Sequence, residues 1–426
     1  MLDRRFILEH AAEILQNCRN RGVTAEVERL VDLENARRTL LQKVEVLNRQ
    51  ANEVSKTIGQ AKDDAERNVR KEQGRLLREQ KDAAQAEHDQ LDAEIHRIQL
   101  TIPNMAHPAA PVGADDHANL ELARGKTAVR EFTFPPLDHL QIGERWGWID
   151  FEGGARTTGA GFYFLSGDLV LLDLALQNYV VRKLQARHYR PTITPDLALD
   201  HILLGIGFMP RGPETQVYSI ENSSLSLIGT AEITLGGLYS GHIFSREDLP
   251  LRVSGISHCY RTAAGAAGRA SRGLYRVHQF TKVEMFIFCT PEDSERMHEE
   301  LRQIECEIFD ELEIPYRVVD TATGDLGGPA YRKFDLEAWM PGRGDGGEWG
   351  EVTSTSNCTD YQARRLNVRF KNHAEKGTHF VHTLNGTAIA LSRALIAILE
   401  NHQQADGTVR VPDVLRPFVG KDVIGG

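Results

Sequence analysis

The first hundred residues carry an apolar pattern typical of paired helices. From Leu33 to Ile58, the apolar positions follow the alternating spacing of a coiled-coil seam. The pattern pauses at residues 59–64 and returns more weakly up to Ile98. A seam, a break and a second seam predict an antiparallel helical hairpin, in which each arm of about 35 residues extends roughly 50 Å. The first seam consists of Leu33, Leu40, Val44, Leu47, Ala51, Val54 and Ile58, and the second of Leu76, Leu77, Ala84, Leu91, Ile95 and Ile98.

The pattern changes after residue 100. Prolines at positions 103, 108 and 111 end the second helix and predict an extended linker over residues 101–125. Beyond it, alternating runs typical of strands are interleaved irregularly with helical stretches at residues 168–187, 291–312 and 388–402. This order predicts an α+β domain around an antiparallel β-sheet. We therefore predict an N-terminal domain over residues 1–100 with an arm at about 27–100, then the linker, and then an α+β domain over residues 126–426.

Composition narrows the class of protein. The chain of 426 residues is 41% hydrophobic and 26% charged, which is ordinary for a globular protein. No apolar run reaches the ~18 residues that span a membrane, and the N-terminus lacks the features of a signal peptide, so we expect a cytoplasmic protein without a membrane partner. Five scattered cysteines without a C-x-x-C pair favour neither disulfides nor structural zinc. The net charge of −10 indicates that an RNA partner would meet a local basic surface rather than the whole protein.

Two nucleotide-binding motifs can be dismissed. The run Gly342-Arg-Gly-Asp-Gly-Gly347 matches G-x-G-x-x-G, but it precedes a strand-like segment rather than a helix, which predicts a surface hairpin loop. The chain contains no G-x-x-x-x-G-K-[ST] sequence, so an ATP site in this protein would not be a P-loop.

Residues 258–284 form the most informative stretch. A predicted strand ends at Arg261, a glycine-rich basic loop follows, and a second strand carries Phe280 and Glu284. An arginine at a strand end can hold a phosphate through two hydrogen bonds. An aromatic ring on the facing strand offers a stacking surface for a purine. Taken alone, this hairpin is equally compatible with a structural loop, and only its context along the chain favours one interpretation.

In that context the stretch resembles motif 2 of class II aminoacyl-tRNA synthetases, and in detail that of the seryl-tRNA synthetases. The resemblance covers nearly the whole chain. Periodicity alone favours a scaffolding role for the hairpin at residues 27–100, but the hairpin is similar to the family's tRNA-binding arm. Residues 189–195 are similar to the end of motif 1, which forms the family's dimer interface. Further blocks in family order are Gly229-Thr-Ala-Glu232, residues 323–327, 333–339, 351–357 and 360–365, and, as motif 3, residues 382–393.

The resemblance implies a site for L-serine and ATP, with Mg²⁺ as a cofactor and no zinc. Arg261 is expected at the α-phosphate, Phe280 against the adenine and Arg393 at the far end of ATP. Glu351 and Ser354 are expected to hold Mg²⁺ through oxygen ligands. The expected serine-binding residues are Thr230, Ala231, Glu232, Glu284, Asn385 and Thr387. The expected ATP-binding residues are Arg261, Thr262, Ala263, Val277, Phe280, Glu351, Val352, Thr353, Ser354 and Arg393.

The implied activity is ATP-dependent formation of seryl-adenylate and transfer of serine to tRNA(Ser), and also to tRNA(Sec) where that tRNA exists, by a homodimer. Three places depart from the family pattern: Ala263 replaces the usual glutamate of motif 2, residues 270–272 read Ala-Ser-Arg in place of Asp-Thr-Arg, and Gly161 stands where many members have arginine. The missing carboxylate removes about one charge-assisted hydrogen bond, so we expect a raised KM for ATP. The alternative is a catalytically weakened paralogue that binds RNA or another partner, for which Ala263 is the support.

Overall fold

An antiparallel pair of long helices dominates the N-terminal unit, Met1–Met105, and confirms the predicted hairpin. The computed structural model describes residues 1–208, 216–262 and 273–426. The Asp63 carboxylate accepts a hydrogen bond from the backbone N–H of Glu66 at 2.7 Å and so caps the second long helix. None of the described helices is both long and apolar enough to cross a lipid bilayer. The helices of this unit are α1 (Arg4–Glu9), α2 (Ala11–Asn20), α3 (Val27–Thr57) and α4 (Asp64–Thr101).

The seam between α3 and α4 departs from the predicted one at Leu76. Val44, Leu47 and Ala84 form a buried cluster, and Leu77 packs against it. Leu76, in contrast, is 45% exposed, so its predicted place in the seam is wrong. Adjacent residues on a helix point about 100° apart, and for this reason only one of the two leucines can face the partner helix.

The second unit, Ala106–Gly426, is built on an eight-stranded sheet and confirms the predicted α+β class. Its helices are α5 (His139–Trp146), α6 (Phe151–Thr157), α7 (Asp168–Ala186), α8 (Asp200–Ile206), α9 (Ala231–Leu238), α10 (Ser294–Glu311), α11 (Tyr361–Leu366), α12 (Leu391–His402) and α13 (Arg416–Val419). Its strands are β1 (Leu120–Arg124), β2 (Ile149–Asp150), β3 (Phe164–Leu165), β4 (Arg190–Ile193), β5 (Leu197–Leu199), β6 (Leu225–Leu227), β7 (Ile243–Ser245), β8 (Leu251–Tyr260), β9 (Gln279–Cys289), β10 (Tyr316–Asp320), β11 (Arg332–Met340), β12 (Glu348–Asn357), β13 (Arg369–Lys371), β14 (His379–Phe380), β15 (His382–Ala390), β16 (Val409–Arg410) and β17 (Val423–Ile424).

The large sheet has the strand order β1-β10-β11-β12-β15-β9-β8-β4, in which β4 and β8 are parallel and the other neighbours are antiparallel. Alternation along β9 separates its two faces. The odd-numbered residues 283–289 enter the main core together with α7, α10 and α12. On the other face, Phe286 and Phe288 enter a smaller core with α8, α9 and α11. Lys282 and Glu284 lie on this second face beyond the apolar part, and we call this region the open face of the sheet.

Two predicted boundaries differ from the observed ones. Within the predicted linker at residues 101–125, the part after Met105 belongs to the second unit, and β1 pairs with β10 at the edge of the sheet. All five residues of β1 are exposed, so only its pairing distinguishes it from a linker. The helix predicted at residues 388–402 begins at Leu391, because the chain up to Ala390 still pairs with β9.

Candidate active site

A cavity of about 310 Å³ lies on the open face, where β12, β15, β9 and β8 are neighbours. Its wall combines guanidinium, carboxylate, hydroxyl and aromatic groups, so it suits a charged ligand that also carries a flat ring. The lining residues are Gln216, Arg261, Thr262, Tyr275, Arg276, Val277, Phe280, Lys282, Glu351, Val352, Thr353, Thr387, Ala390, Ser392 and Arg393.

Arg261 and Phe280 form one part of this wall. Cys259 pairs with Phe280 across β8 and β9, and alternation places Arg261, two residues further on, on the same face. The guanidinium carbon of Arg261 lies 5.6 Å from the centre of the Phe280 ring. Its Nε and Nη2 atoms donate to the carbonyl oxygen of Gly229 at 3.3 and 3.2 Å. Arg261 therefore connects the aromatic wall with the segment that leads into α9.

Arg393, on α12, and Glu351, on β12, form a charged pair in the same cavity. Arg393 Nη1 lies 3.4 Å from Glu351 Oε1 and donates to the backbone carbonyl of Glu351 at 2.8 Å. Burial alone would raise the pKa of Glu351, but the charges of Arg393, Lys333 and Arg261 outweigh burial and leave this pKa lowered. Glu351 is therefore an ionised carboxylate among cations at neutral pH.

A β-bulge at Val352 brings Glu351 and Ser354 to the same face of β12. Asp335 pairs with Ser354 and Glu337 pairs with Glu351, and the register shift between these pairs leaves an extra residue on β12. Residues three apart in a regular strand would point to opposite faces. Because of the bulge, the side chains of Glu351 and Ser354 lie on the same face of β12 although the two residues are three positions apart.

The oxygen atoms around the bulge fit a divalent cation. Glu351 offers an ionised carboxylate and Ser354 a hydroxyl, which are the hard ligands that Mg²⁺ prefers. Beside them, Asp335 Oδ1 is buried and has no hydrogen-bond partner among the described residues. Burial raises the pKa of Asp335 to about 6, against the opposing charge of Lys333. The donor set thus agrees with the magnesium ligands expected from the sequence, and the ion would relieve the unpaired Asp335 oxygen.

A buried amide network surrounds Glu232 in the first turn of α9. Glu232 Oε1 accepts hydrogen bonds from Gln362 Nε2 at 2.6 Å and from Asn385 Nδ2 at 2.8 Å. Gln362 in turn accepts one from the Thr383 hydroxyl at 2.7 Å. Burial, followed by the negative charge of Glu284, raises the pKa of Glu232 to about 7. Glu232 is therefore close to its titration point at neutral pH.

Lys282 is a buried ammonium between Glu284 and Thr387. It forms an ion pair with the Glu284 carboxylate, and its Nζ donates to Thr387 Oγ1 at 3.4 Å. Thr230, the N-cap residue of α9, also hydrogen-bonds to Glu284. Burial raises the pKa of Glu284, although Lys282 opposes this shift. Because Lys282 also lines the cavity, this cluster is continuous with the cavity that contains Arg261.

Comparison with known proteins identifies the family. Residues 216–402 match the tRNA synthetase class II core domain (G, H, P, S and T), and residues 1–106 match the seryl-tRNA synthetase N-terminal domain. A serine–tRNA ligase from Rhodopirellula baltica is 63% identical over 424 residues, which cover 100% of this chain and 99% of the relative. The chain belongs to the seryl-tRNA synthetase family. A serine–tRNA ligase from Rubrobacter xylanophilus is 54% identical, with 100% and 99% of the two chains covered. The crystal structure of the seryl-tRNA synthetase from Pyrococcus horikoshii complexed with ATP has a TM-score of 0.93 and 37% identity, with 100% of this chain and 99% of that chain covered.

The predicted site residues of this synthetase fall into two adjoining groups. Thr230, Glu232, Glu284 and Asn385 lie in the buried network around α9. Ser354 lies beside the cavity on β12, and Ala263 lies outside the described residues. Those that line the cavity itself are Arg261, Thr262, Val277, Phe280, Glu351, Val352, Thr353, Thr387 and Arg393.

Three of the predicted residues place their side chains in the interior. Ala231 is fully buried where α9 meets Gly255, at which a β-carbon would lie 2.7 Å from the Ala231 side chain. Val352 belongs to the main core. The Thr353 hydroxyl donates to Glu305 Oε2 at 2.9 Å, towards α10. We therefore expect these residues to contribute to ligand binding through backbone atoms.

The polar residues of the site that sequence reasoning missed include Lys282 and Gln362. Lys282 lies midway between Phe280 and Glu284, so the alternation of β9 was a signal that could have found it. Gln362 is 130 positions from Glu232, and no local pattern connects the two. Only the packing of α11 against the start of α9 brings them together.

Proposed function

We propose that this protein activates L-serine with ATP to seryl-adenylate and then transfers the seryl group to tRNA(Ser). One observation carries the proposal: Arg261 and Lys282 join a charged cavity with an aromatic wall to the buried Glu232 and Glu284 network. The cavity has the chemistry that a nucleoside triphosphate requires, and the network has the chemistry that a small zwitterion requires.

In the proposed first step, a carboxylate oxygen of serine attacks the α-phosphorus of ATP, and the bond to pyrophosphate breaks. Arg261 stabilises the charge that develops on the α-phosphate. Phe280 stacks on the adenine, the Val277 backbone contacts its edge, and Arg393 binds the far end of ATP. Positioning and charge neutralisation supply the catalysis, so no protein nucleophile is required.

Mg²⁺ would be held by Glu351 and Ser354, with Asp335 beside them. The bound ion would neutralise phosphate charge. The cations around Glu351 keep its carboxylate ionised and therefore available as a ligand over the physiological pH range.

Serine differs from alanine by one hydroxyl group, so specificity depends on polar groups that only serine satisfies. Thr230 and Glu232 meet the ammonium group of serine, with Glu284 nearby. Glu284, Asn385 and Thr387 define the pocket for the hydroxyl. Alanine would leave the hydrogen bonds that these groups can make to the serine hydroxyl unmade, which can be worth up to ~10⁴–10⁵ in discrimination. Threonine is excluded because its extra methyl group does not fit the small pocket.

The helical hairpin supplies the proposed tRNA-binding surface. Lys43, Arg49, Lys56 and Lys71 are exposed and have no ion-pair partner in the parts of the chain that the structure describes. They can contact RNA phosphates without first breaking an ion pair, which supports a role in RNA binding despite the net charge of −10. The proposal includes tRNA(Sec) as a second substrate of the same surface.

We also propose that the protein is a homodimer formed through the motif 1 region. Strand β4 lies at the edge of the large sheet, so it pairs with only one neighbour within the described part of the chain. Ile193 on this strand is 83% exposed, and Leu171 and Leu174 are exposed on the preceding helix α7. Exposed apolar side chains beside an open strand edge fit a self-association surface.

The test is exchange of labelled pyrophosphate into ATP with single amino acids. We expect serine to support exchange, and alanine and threonine to give no more than background. Equal exchange with alanine would overturn the assignment of the serine pocket. No exchange with any amino acid would overturn the proposed activity and favour the catalytically weakened alternative. Charging of tRNA(Ser) and tRNA(Sec) in parallel then tests the two RNA substrates.

A further inference from the structure

Tyr275 lies between two guanidinium groups. The guanidinium carbon of Arg393 is 4.5 Å from the centre of the Tyr275 ring, and that of Arg343 is 4.1 Å from it. Arg393 lines the proposed ATP cavity, whereas Arg343 lines a second cavity, and Tyr275 borders both. The ring is therefore the wall between the cavities and carries one cation on each side.

Arg343 is held at the ring by the loop that connects β11 and β12, which confirms the hairpin loop predicted for residues 342–347. Its Nε lies 3.3 Å from Glu348 Oε2. Its Nη1 is buried and has no hydrogen-bond partner within the described residues. A β-carbon at Gly350 would lie 2.6 Å from this Nη1 and 3.1 Å from the Tyr275 ring. The missing side chain at Gly350 therefore leaves the space that Arg343 occupies.

The orientation of Arg393 depends on Tyr275 as well. Arg393 Nε donates to the backbone carbonyl of Tyr275 at 3.3 Å, and its Nη1 donates to that of Glu351 at 2.8 Å. With the stacking contact on the ring and the ion pair to Glu351 Oε1, two of the four contacts given for this guanidinium are made to Tyr275 and two to Glu351. A change that loosens Tyr275 would therefore loosen Arg393 on the ATP side.

We propose that Arg343 is a positioning residue for ATP: it fixes the Tyr275 ring from the second cavity and so holds Arg393 in its ATP-binding orientation. This inference rests on the proposed function of the ATP cavity. Arg343 does not line that cavity, so its effect on ATP passes through Tyr275. A cation over an aromatic ring in a partly dry setting has an energy that corresponds to a change of about three- to tenfold in an equilibrium constant.

The experiment compares steady-state pyrophosphate exchange in the full-length protein and its variants. Arg343→Ala should raise the KM for ATP by about three- to tenfold, with kcat within about twofold and the KM for serine unchanged. Arg343→Lys keeps the charge but loses the planar guanidinium group, so its KM for ATP should lie between those of Arg343→Ala and the wild type. Asp345→Ala, at an exposed position of the same loop, is the matched control and should behave as wild type.

A double-mutant cycle separates positioning through the ring from general destabilisation. In an Arg393→Ala background, Arg343→Ala should add nothing to the KM for ATP, and Gly350→Ala alone should reproduce the Arg343→Ala effect. If Arg343→Ala adds its full effect without Arg393, or lowers kcat and Tm without a selective change in the KM for ATP, the proposal is overturned. If wild type exchanges and Arg393→Ala raises the KM for ATP while Arg343→Ala does not, this inference fails and the proposed function stands. No exchange in the wild type would instead overturn the proposed function.

Discussion

At the residue scale, the serine side of the site holds two buried carboxylates and one ammonium. Lys282 pairs with Glu284, while among the described residues the side-chain hydrogen bonds to the Glu232 carboxylate come from the neutral amides of Gln362 and Asn385. The pKa of Glu232 is raised to about 7 by burial and then by the charge of Glu284, and within the described residues its carboxylate forms no ion pair. The ammonium group of a bound serine would supply the missing positive charge.

This arrangement predicts that serine binding depends on pH. Below pH 7 Glu232 is increasingly protonated, whereas the serine ammonium keeps its charge, so binding must release a proton from Glu232. The KM for serine should therefore rise by up to about tenfold per pH unit below pH 7 and level off above it. Pyrophosphate exchange measured from pH 5.5 to 8.5 at saturating ATP checks this expectation.

The matched variant for this pH dependence is Glu232→Gln. It keeps the shape of the side chain and removes its titration, so its KM for serine should be high and nearly constant over the same pH range. If the KM for serine of Glu232→Gln still rises below pH 7 as in the wild type, the titrating group is another residue and the role of Glu232 is contradicted.

At the element scale, the two long helices present two kinds of surface cation. Some exposed arginines are already paired with acids one helical turn away, for example Arg75 with Glu72 and Glu79. Others, such as Arg49 and Lys71, have no such partner in the described ranges. Only the second kind is free to neutralise phosphates, because an existing ion pair has to break before its arginine can bind RNA.

Replacing the four unpaired cations Lys43, Arg49, Lys56 and Lys71 by alanine should therefore weaken tRNA charging and leave adenylate formation intact. If two of them make charge-assisted contacts worth about 1.5 kcal/mol each, kcat/KM for tRNA falls by roughly 100-fold. Aminoacylation and pyrophosphate exchange, each measured at two salt concentrations, show whether the substitutions affect tRNA charging without affecting adenylate formation. The control variant replaces the paired arginines Arg29, Arg67, Arg75 and Arg97 by alanine. An equal loss of kcat/KM for tRNA in this variant would show that tRNA charging depends on the total charge of the arm rather than on its unpaired cations.

At the scale of the whole molecule, the two edges of the large sheet differ. Both edge strands expose a charged residue, Arg190 on β4 and Arg124 on β1, but at the β4 edge Ile193 is 83% exposed and Leu171 and Leu174 are exposed on the neighbouring helix. A group of exposed apolar side chains beside an open strand edge favours association with another chain. The β4 edge is therefore the one that we expect a second copy of the chain to cover.

Ile193→Glu should convert the proposed dimer into a monomer. Placing a carboxylate in an apolar interface costs about 2–4 kcal/mol, which raises the Kd of the dimer by roughly 30- to 700-fold. Sedimentation velocity over a range of protein concentrations measures the change. Leu122→Glu, on the opposite edge strand β1, is the control and should leave the mass unchanged. A monomeric wild type, or a dimer that survives Ile193→Glu, would exclude this interface.

The sequence by itself determined the features that depend on neighbouring residues. The spacing from Leu33 to Ile58 determined the hairpin, and alternating runs between helical stretches determined the α+β class. Alternation along β9 places Phe280 and Glu284 on one face. The same alternation places Lys282 on that face, so Lys282 could also have been predicted from the sequence. These features were readable because the periods of helices and strands are local properties of the backbone.

Only the tertiary structure decided the contacts that depend on long-range register. Glu351 and Ser354 share a face because a bulge at Val352 inserts one extra residue against β11, and nothing in the local sequence marks that insertion. Gln362 reaches Glu232 through helix packing, and Tyr275 receives Arg343 from a loop of another hairpin. Each of these contacts joins segments that are far apart along the chain, so it depends on how the strands and helices pair in space rather than on their individual periods.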